Sequence, residues 1–190
     1  MKRLFIFLCA LSMVLSASAI KVYVNPGHGS WGSNCRPMAT INYPAGDTLG
    51  FFESNTNLWK AFMLETKLKA AGFDVKMSRR ASGGSGTNEY NKALSTICSE
   101  AENYGADYFI SIHSNAATEG TNTNYPIILY RGTDSSDKVP GSKARANASW
   151  DRLKEINTSG FEYYTSYTSS RNVRGDISFY NSSSSYGYLG

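Results

Sequence analysis

Two histidines are present in the chain, and each stands directly after a β-rich run: His28 in KVYVNPG-His28-GS and His113 in DYFISI-His113-SN. Glu53 stands just ahead of a segment that reads as a helix. If the two runs are parallel strands of one sheet, both imidazoles lie at its carboxyl edge, the edge where open α/β sheets take ligands. A helix that follows a parallel strand also starts there, so the carboxylate joins them. Two imidazoles and one carboxylate are a common ligand set for catalytic zinc, with a further position left to water or substrate. Such an ion lowers the pKa of its water to about 7 and polarises a carbonyl, which suits amide hydrolysis without a protein nucleophile. Each residue also has a plainer role available: a strand-end histidine as a polar surface or capping group, and Glu53 as a complement to a helix dipole.

The elements that must position these groups follow from periodicity. Lys21 to Asn25 is a short β-rich run ended by Pro26-Gly27. A helix is expected from Ser54 or Asn55, with Ala61, Leu64, Leu68 and Ala71 on one face and Gly72 as its stop. Phe73 to Ser78 reads as a second strand. Tyr90, Ala93, Leu94, Ile97, Cys98, Ala101 and Tyr104 recur at helical spacing before Gly105, and Asp107 to Ile112 is a third strand, apolar as if covered on both faces. Pro126 to Tyr130 is expected as a fourth strand, Ser142 to Ile156 as a less regular helix, and Asp176 to Tyr180 as a short strand. Strand, helix, strand, helix, strand gives a single α/β domain, with a mostly parallel sheet and helices on both faces.

The beginning of the chain reads as an export signal, residues 1–19. Lys2 and Arg3 precede the apolar run Leu4 to Leu15, and Ala17-Ser18-Ala19 supplies small residues for cleavage. The run is shorter than the roughly 20 residues a membrane span needs, so no stable insertion is expected after its removal. Removing 1–19 from 190 residues leaves 171, enough for one core, the domain read as 20–190. The formal charge of +4 includes Lys2 and Arg3. What remains is too small and scattered to indicate nucleic acid. Export makes a Cys35–Cys98 disulfide chemically possible, whereas the helical stripe around Cys98 favours a buried free thiol. The loop from Arg79 to Thr87 lacks the Gly-Lys-Ser/Thr ending of a phosphate loop, and the chain has no G-x-S-x-G elbow.

VNPGHGSWG at 24–32, GFFES at 50–54 and ISIHSNA at 110–116 resemble, in order and separation, the three metal-binding motifs of the zinc-dependent N-acetylmuramoyl-L-alanine amidases (amidase type 3). LKAAGFDVKMSR at 68–79 is similar to that family's helix-to-strand segment, and the likeness covers most of 21–132. The resemblance implies His28, Glu53 and His113 as Zn2+ ligands, peptidoglycan as substrate, and a periplasmic or extracellular setting. Asn25 stands where the family usually has aspartate, and the loop with Trp31, Cys35 and Arg36 is longer than the pattern. The family's general-base glutamate, on a late strand before a glycine and an aromatic residue, has no counterpart: the acids after Gly160 are Glu162 and Asp176. That base is therefore expected beyond Gly190, with the amidase region incomplete and this stretch nearly inactive. A non-catalytic wall-binding module and a zinc carboxypeptidase acting on wall peptides are the alternatives. Arg171 and Arg174 in RNVRGD resemble a segment near the family's substrate groove, with solvated charges as the plain reading. Trp31, Trp59 and the late tyrosines Tyr163, Tyr164, Tyr167, Tyr180, Tyr186 and Tyr188 suit either glycan stacking or ordinary packing.

Overall fold

β1 (Lys21–Pro26) is the central strand of a three-stranded sheet, with β2 (Asp74–Met77) on one side and β3 (Tyr108–Ile112) on the other. Both pairings are parallel: Val24 lies opposite Met77 in β2 and Ile110 in β3. The computed structural model describes residues 18–30, 53–83, 89–114, 126–155 and 172–179. They fall into two units, Met1–Ser114 and Asn115–Gly190.

In the first unit, α1 (Glu53–Ala70) connects β1 to β2 and α2 (Leu94–Tyr104) connects β2 to β3. The chain moves from β1 to one side and then returns to the other, so crossovers of one hand place the two helices on opposite faces. The packing shows this directly. Val22 and Val24 meet Ala61 with Leu58, Phe62, Leu64 and Leu68 of α1, whereas Tyr23, pointing the other way, meets Ile97 and Ala101 of α2. A buried Val or Leu contributes about 1.5–3 kcal/mol, so α1 is the more firmly held helix. Its end is set by Gly72 at φ 88°, with Gly72 N–H donating to Lys69 O at 3.0 Å and Phe73 N–H to Leu68 O at 3.1 Å. That paired closure needs a residue free to adopt the left-handed region. Gly105 ends α2 in the same way.

Asn25 is buried at 4 % exposure and links β1 to Ser111 of β3 and to Ser78, the residue just after β2. Its amide donates to Ser111 Oγ at 3.0 Å and its carbonyl oxygen accepts from Ser78 Oγ at 2.7 Å. An amide can do both, a carboxylate only accept.

Several expectations need correction. β3 is an edge strand among the described residues, and Tyr108 and Phe109 are 36 % and 47 % exposed rather than covered on both faces. Cys98 is a free, exposed thiol. Ile97, Ala101 and Tyr104 of its stripe pack against Tyr23, and Cys98 sits a further 100° round the helix from Ile97, beyond the surface that Tyr23 offers. Cys35 lies outside the described residues. Tyr90 precedes α2 in a left-handed turn, φ 65°. Ala71 is exposed and follows the end of α1.

In the second unit, β4 (Ile128–Tyr130) pairs in parallel with β7 (Val173–Gly175), and β5 (Gly132–Thr133) pairs antiparallel with β6 (Ser136–Asp137). α3 is Ser142–Lys154 and buries only Ala146 among its described side chains. The stretch read as a strand from Asp176 is instead a one-turn helix, α4 (Asp176–Phe179), with the strand just before it. The reason is Asp176 itself. Its buried carboxylate accepts the Ile177 N–H at 2.9 Å at the start of that turn, the Gly132 N–H at 2.7 Å, and Arg131 Nη1 at 2.9 Å. Among the described residues no helix is long and apolar enough to cross a membrane. Residues 1–17 and the late tyrosines from Tyr163 to Tyr188 lie outside the described residues, as does Arg171.

Candidate metal centre

The strand order reverses between β1 and β3, and the crevice at the carboxyl ends of such a pair is the ligand position of doubly wound sheets. His28 follows β1 and His113 follows β3. Gly27 N–H donates to Ile112 O at 2.8 Å, so the two chain ends leave the sheet side by side. Glu53 opens α1 and reaches the same crevice.

The three side chains meet. Glu53 Oε2 lies 3.2 Å from His28 Nε2, and Glu53 Oε1 lies 3.3 Å from His113 Nδ1. The two imidazoles stand edge-on, 5.1 Å between centres at 77°. One ligand atom from each residue falls within 4.8 Å of the others. Zinc with bonds of about 2.0–2.1 Å in tetrahedral array spaces its ligand atoms roughly 3.3 Å apart. Each imidazole lies near that spacing from a different oxygen of Glu53, the single-atom set spreads to as much as 4.8 Å, and the donor set of two nitrogens and one oxygen suits zinc.

The surroundings of the carboxylate keep it ionised. Glu53 is only 9 % exposed, and burial by itself would raise its pKa. Hydrogen bonds from His113 and His28, with the Ser114 N–H at 2.7 Å, outweigh that and hold the carboxyl well below the usual range. Asn57, one turn along α1, donates to Glu53 Oε1 and to Gly27 O, both at 3.3 Å. His28 has φ 58°, a conformation that costs a non-glycine residue about 1 kcal/mol or more and persists only where neighbours fix it. Gly29 is part of that fixing: its N–H donates to Asn91 Oδ1 at 2.5 Å, and its carbonyl accepts from Gly83 N–H at 2.9 Å. His113 is the most open of the three, with its side chain 47 % exposed, so one side of the cluster faces solvent.

Sequence reasoning identified the three ligand candidates but not their supports. Asn57 had a signal: together with Glu53 and Glu65 it places polar groups on the buried i, i+4 line of α1, where apolar residues would be the default. The Ser114 N–H carried none. Arg174 is not a freely solvated charge, because its Nε donates to both oxygens of Asp134 at 2.9 and 2.8 Å. Trp59 is 68 % exposed on α1.

A sequence profile described as N-acetylmuramoyl-L-alanine amidase matches residues 22–180. Among solved structures, the chain is similar to N-acetylmuramoyl-L-alanine amidase from Clostridium difficile 630, at 25 % identity and TM-score 0.54, over 73 % of this chain and 64 % of that one. It is similar to Cwp6 from Clostridium difficile at 26 % identity and TM-score 0.55, over 74 % of this chain and 19 % of that one. AmiC2, an N-acetylmuramoyl-L-alanine amidase of Nostoc punctiforme, shares the fold at TM-score 0.58 and 19 % identity, over 92 % of this chain and 82 % of its own. No curated protein matches the sequence. The chain thus spans 64 % of the first structure and 19 % of Cwp6.

Proposed function

Because the chain belongs to the N-acetylmuramoyl-L-alanine amidase family, we propose that it is the zinc-binding part of an exported peptidoglycan hydrolase directed at the amide between N-acetylmuramic acid and L-alanine. The observation that carries this reading is the convergence of His28, Glu53 and His113 within 4.8 Å at the carboxyl edge of a parallel sheet. His28 and His113 would hold zinc through ring nitrogens and Glu53 through its ionised carboxylate. When bound, zinc supplies Lewis acidity, polarising the scissile carbonyl and bringing the pKa of water to about 7. The rest belongs to the chain. Ser114 N–H and Asn57 aim the carboxylate, and the exposed side of His113 leaves room for a wall peptide to approach.

Asp176 does not act as the general base. It is fully buried and committed to Arg131, Gly132 and Ile177. Glu162 lies outside the described residues. A second reading is a module that keeps metal and wall affinity but cleaves little; it rests on the commitment of Asp176 to structural partners, since a positioned base contributes about 10²–10⁴-fold.

The protein refolded with zinc should carry close to one ion per chain, and His113→Ala should lose it with the melting curve nearly unchanged. Zinc-free wild type, or full metal content in the variant, sinks the ligand assignment. Incubation with purified peptidoglycan then separates the readings. Soluble peptides beginning with L-alanine support the hydrolase, and sedimentation with the wall without release supports the binder.

A further inference from the structure

Arg79 follows the end of β2 and is 5 % exposed, which is rare for a charged side chain. Its guanidinium is spread over backbone carbonyls. Nε donates to Pro26 O at 3.0 Å, and Nη2 donates to Gly27 O at 3.0 Å and to Ser54 O at 2.8 Å. Nη1 donates to Ala81 O and Ser82 Oγ, both at 2.9 Å. Pro26 and Gly27 are the two residues before His28, and Ser54 is the residue after Glu53. One planar group therefore ties together the backbone that carries two of the three ligand candidates.

We infer that Arg79 is a positioning residue of the metal centre, fixing the separation of His28 and Glu53 through the carbonyls of Pro26, Gly27 and Ser54. The inference rests on the zinc reading above. Three features make the guanidinium suited to this. It is planar, so contacts from Nε and Nη2 lock the direction of the loop as well as its distance. It is charged, so each bond to a carbonyl is stronger than a neutral one. It also acts where the backbone is under strain, since His28 at φ 58° needs neighbours that hold it there. Asn57 adds a neutral tie to the same Gly27 carbonyl, from the helix side. A lysine could keep the charge and one or two contacts, but not the fork.

The test is zinc affinity of the full chain, measured by competition with a chromophoric chelator at a temperature where circular dichroism shows each variant folded. Arg79→Lys should bind zinc about 10–100-fold more weakly than wild type, the range typical for groups that orient ligands. Arg79→Gln should be at least as weak. If Arg79 is merely structural, melting temperature falls in both variants while the affinity of the folded protein stays within about twofold, and the inference is overturned. If only charge matters, Arg79→Lys matches wild type and Arg79→Gln does not, which also overturns it. Should neither variant fold, Ser82→Ala decides. It removes one acceptor from Nη1 and leaves the sheet intact, so zinc binding should weaken about two- to fivefold, as expected for one hydrogen bond; an unchanged affinity counts against the clamp. Wild type that binds no zinc overturns the metal reading itself, an outcome distinct from all of these.

Discussion

Gly27→Ala should empty the metal centre without replacing any of the three ligand candidates. A Cβ built on Gly27 would lie 2.5 Å from His113 Nδ1 and closer still to Cε1 and Nε2, inside the 3.0 Å that real Cβ atoms keep. The imidazole lies against the bare glycine and must retreat by about 1 Å or more, several times the roughly 0.2 Å that a zinc bond tolerates. Nothing else should suffer much. Gly27 is not among the positive-φ glycines, so alanine meets no backbone strain. The His113 side chain is 47 % exposed and can swing outward. The alanine also restricts the unfolded chain, offsetting about 0.4–1 kcal/mol of any loss. The expected result is zinc affinity reduced by at least about 100-fold, beyond the usual effect of losing a supporting group, with the metal-free melting temperature within a few degrees of wild type. Chelator competition gives the first number and calorimetry in EDTA the second. Affinity within about threefold of wild type would refute the reasoning, because the ring would then have another way to reach the ion.

The second unit offers a stability test: Asp176→Ala leaves Arg131 Nη1 and the Gly132 and Ile177 N–H groups without their carboxylate, and should destabilise by about 3 kcal/mol, with Arg131's partial exposure holding the figure down; a loss under about 1 kcal/mol by denaturant unfolding contradicts this. Glu65 provides a pH test. Hydrogen bonds from Arg80, with Lys69 adding to them and burial opposing, hold its carboxyl below the ordinary 4.5. The folded pKa is depressed, so its contribution is complete above about 4.5 and disappears as pH falls through the folded value. Glu65→Gln should therefore flatten the acid limb of melting temperature against pH, measured without metal; parallel limbs would count against the ion pair.

The alternation of strand and helix in the first unit was legible because each element has one dominant partner surface. β1 and β2 alternate against α1, and the glycines at 72 and 105 close both helices through a backbone conformation other residues resist. The misreadings arise where local pattern and tertiary environment part. Apolar residues in β3 suggest coverage on both faces, but composition does not reveal which strand ends a sheet, and Tyr108 and Phe109 are exposed. The stripe through Cys98 is wide enough for a broad contact, but the surface it meets is chiefly one tyrosine ring. Asp176-Ile-Ser-Phe-Tyr alternates like a strand, yet a single carboxylate accepting its own next N–H turns it into a helix.

The candidate site shows a different limit. His28, Glu53 and His113 stand out in sequence because few side-chain types can hold a metal and because strand ends are countable. What brings them to 3.2 and 3.3 Å is carried by atoms that every residue has: the carbonyls of Pro26, Gly27 and Ser54 and the N–H of Ser114. No residue type announces which carbonyl will be gripped. The gripping groups, Arg79 and Asn57, are recognisable only as polar side chains buried where apolar ones would be expected. The same holds for Gly27, which the sequence marks as a turn residue and the structure marks as the floor beneath an imidazole. Chemistry-bearing residues are thus readable one at a time, whereas their arrangement depends on backbone groups whose partners exist only after the sheet has formed.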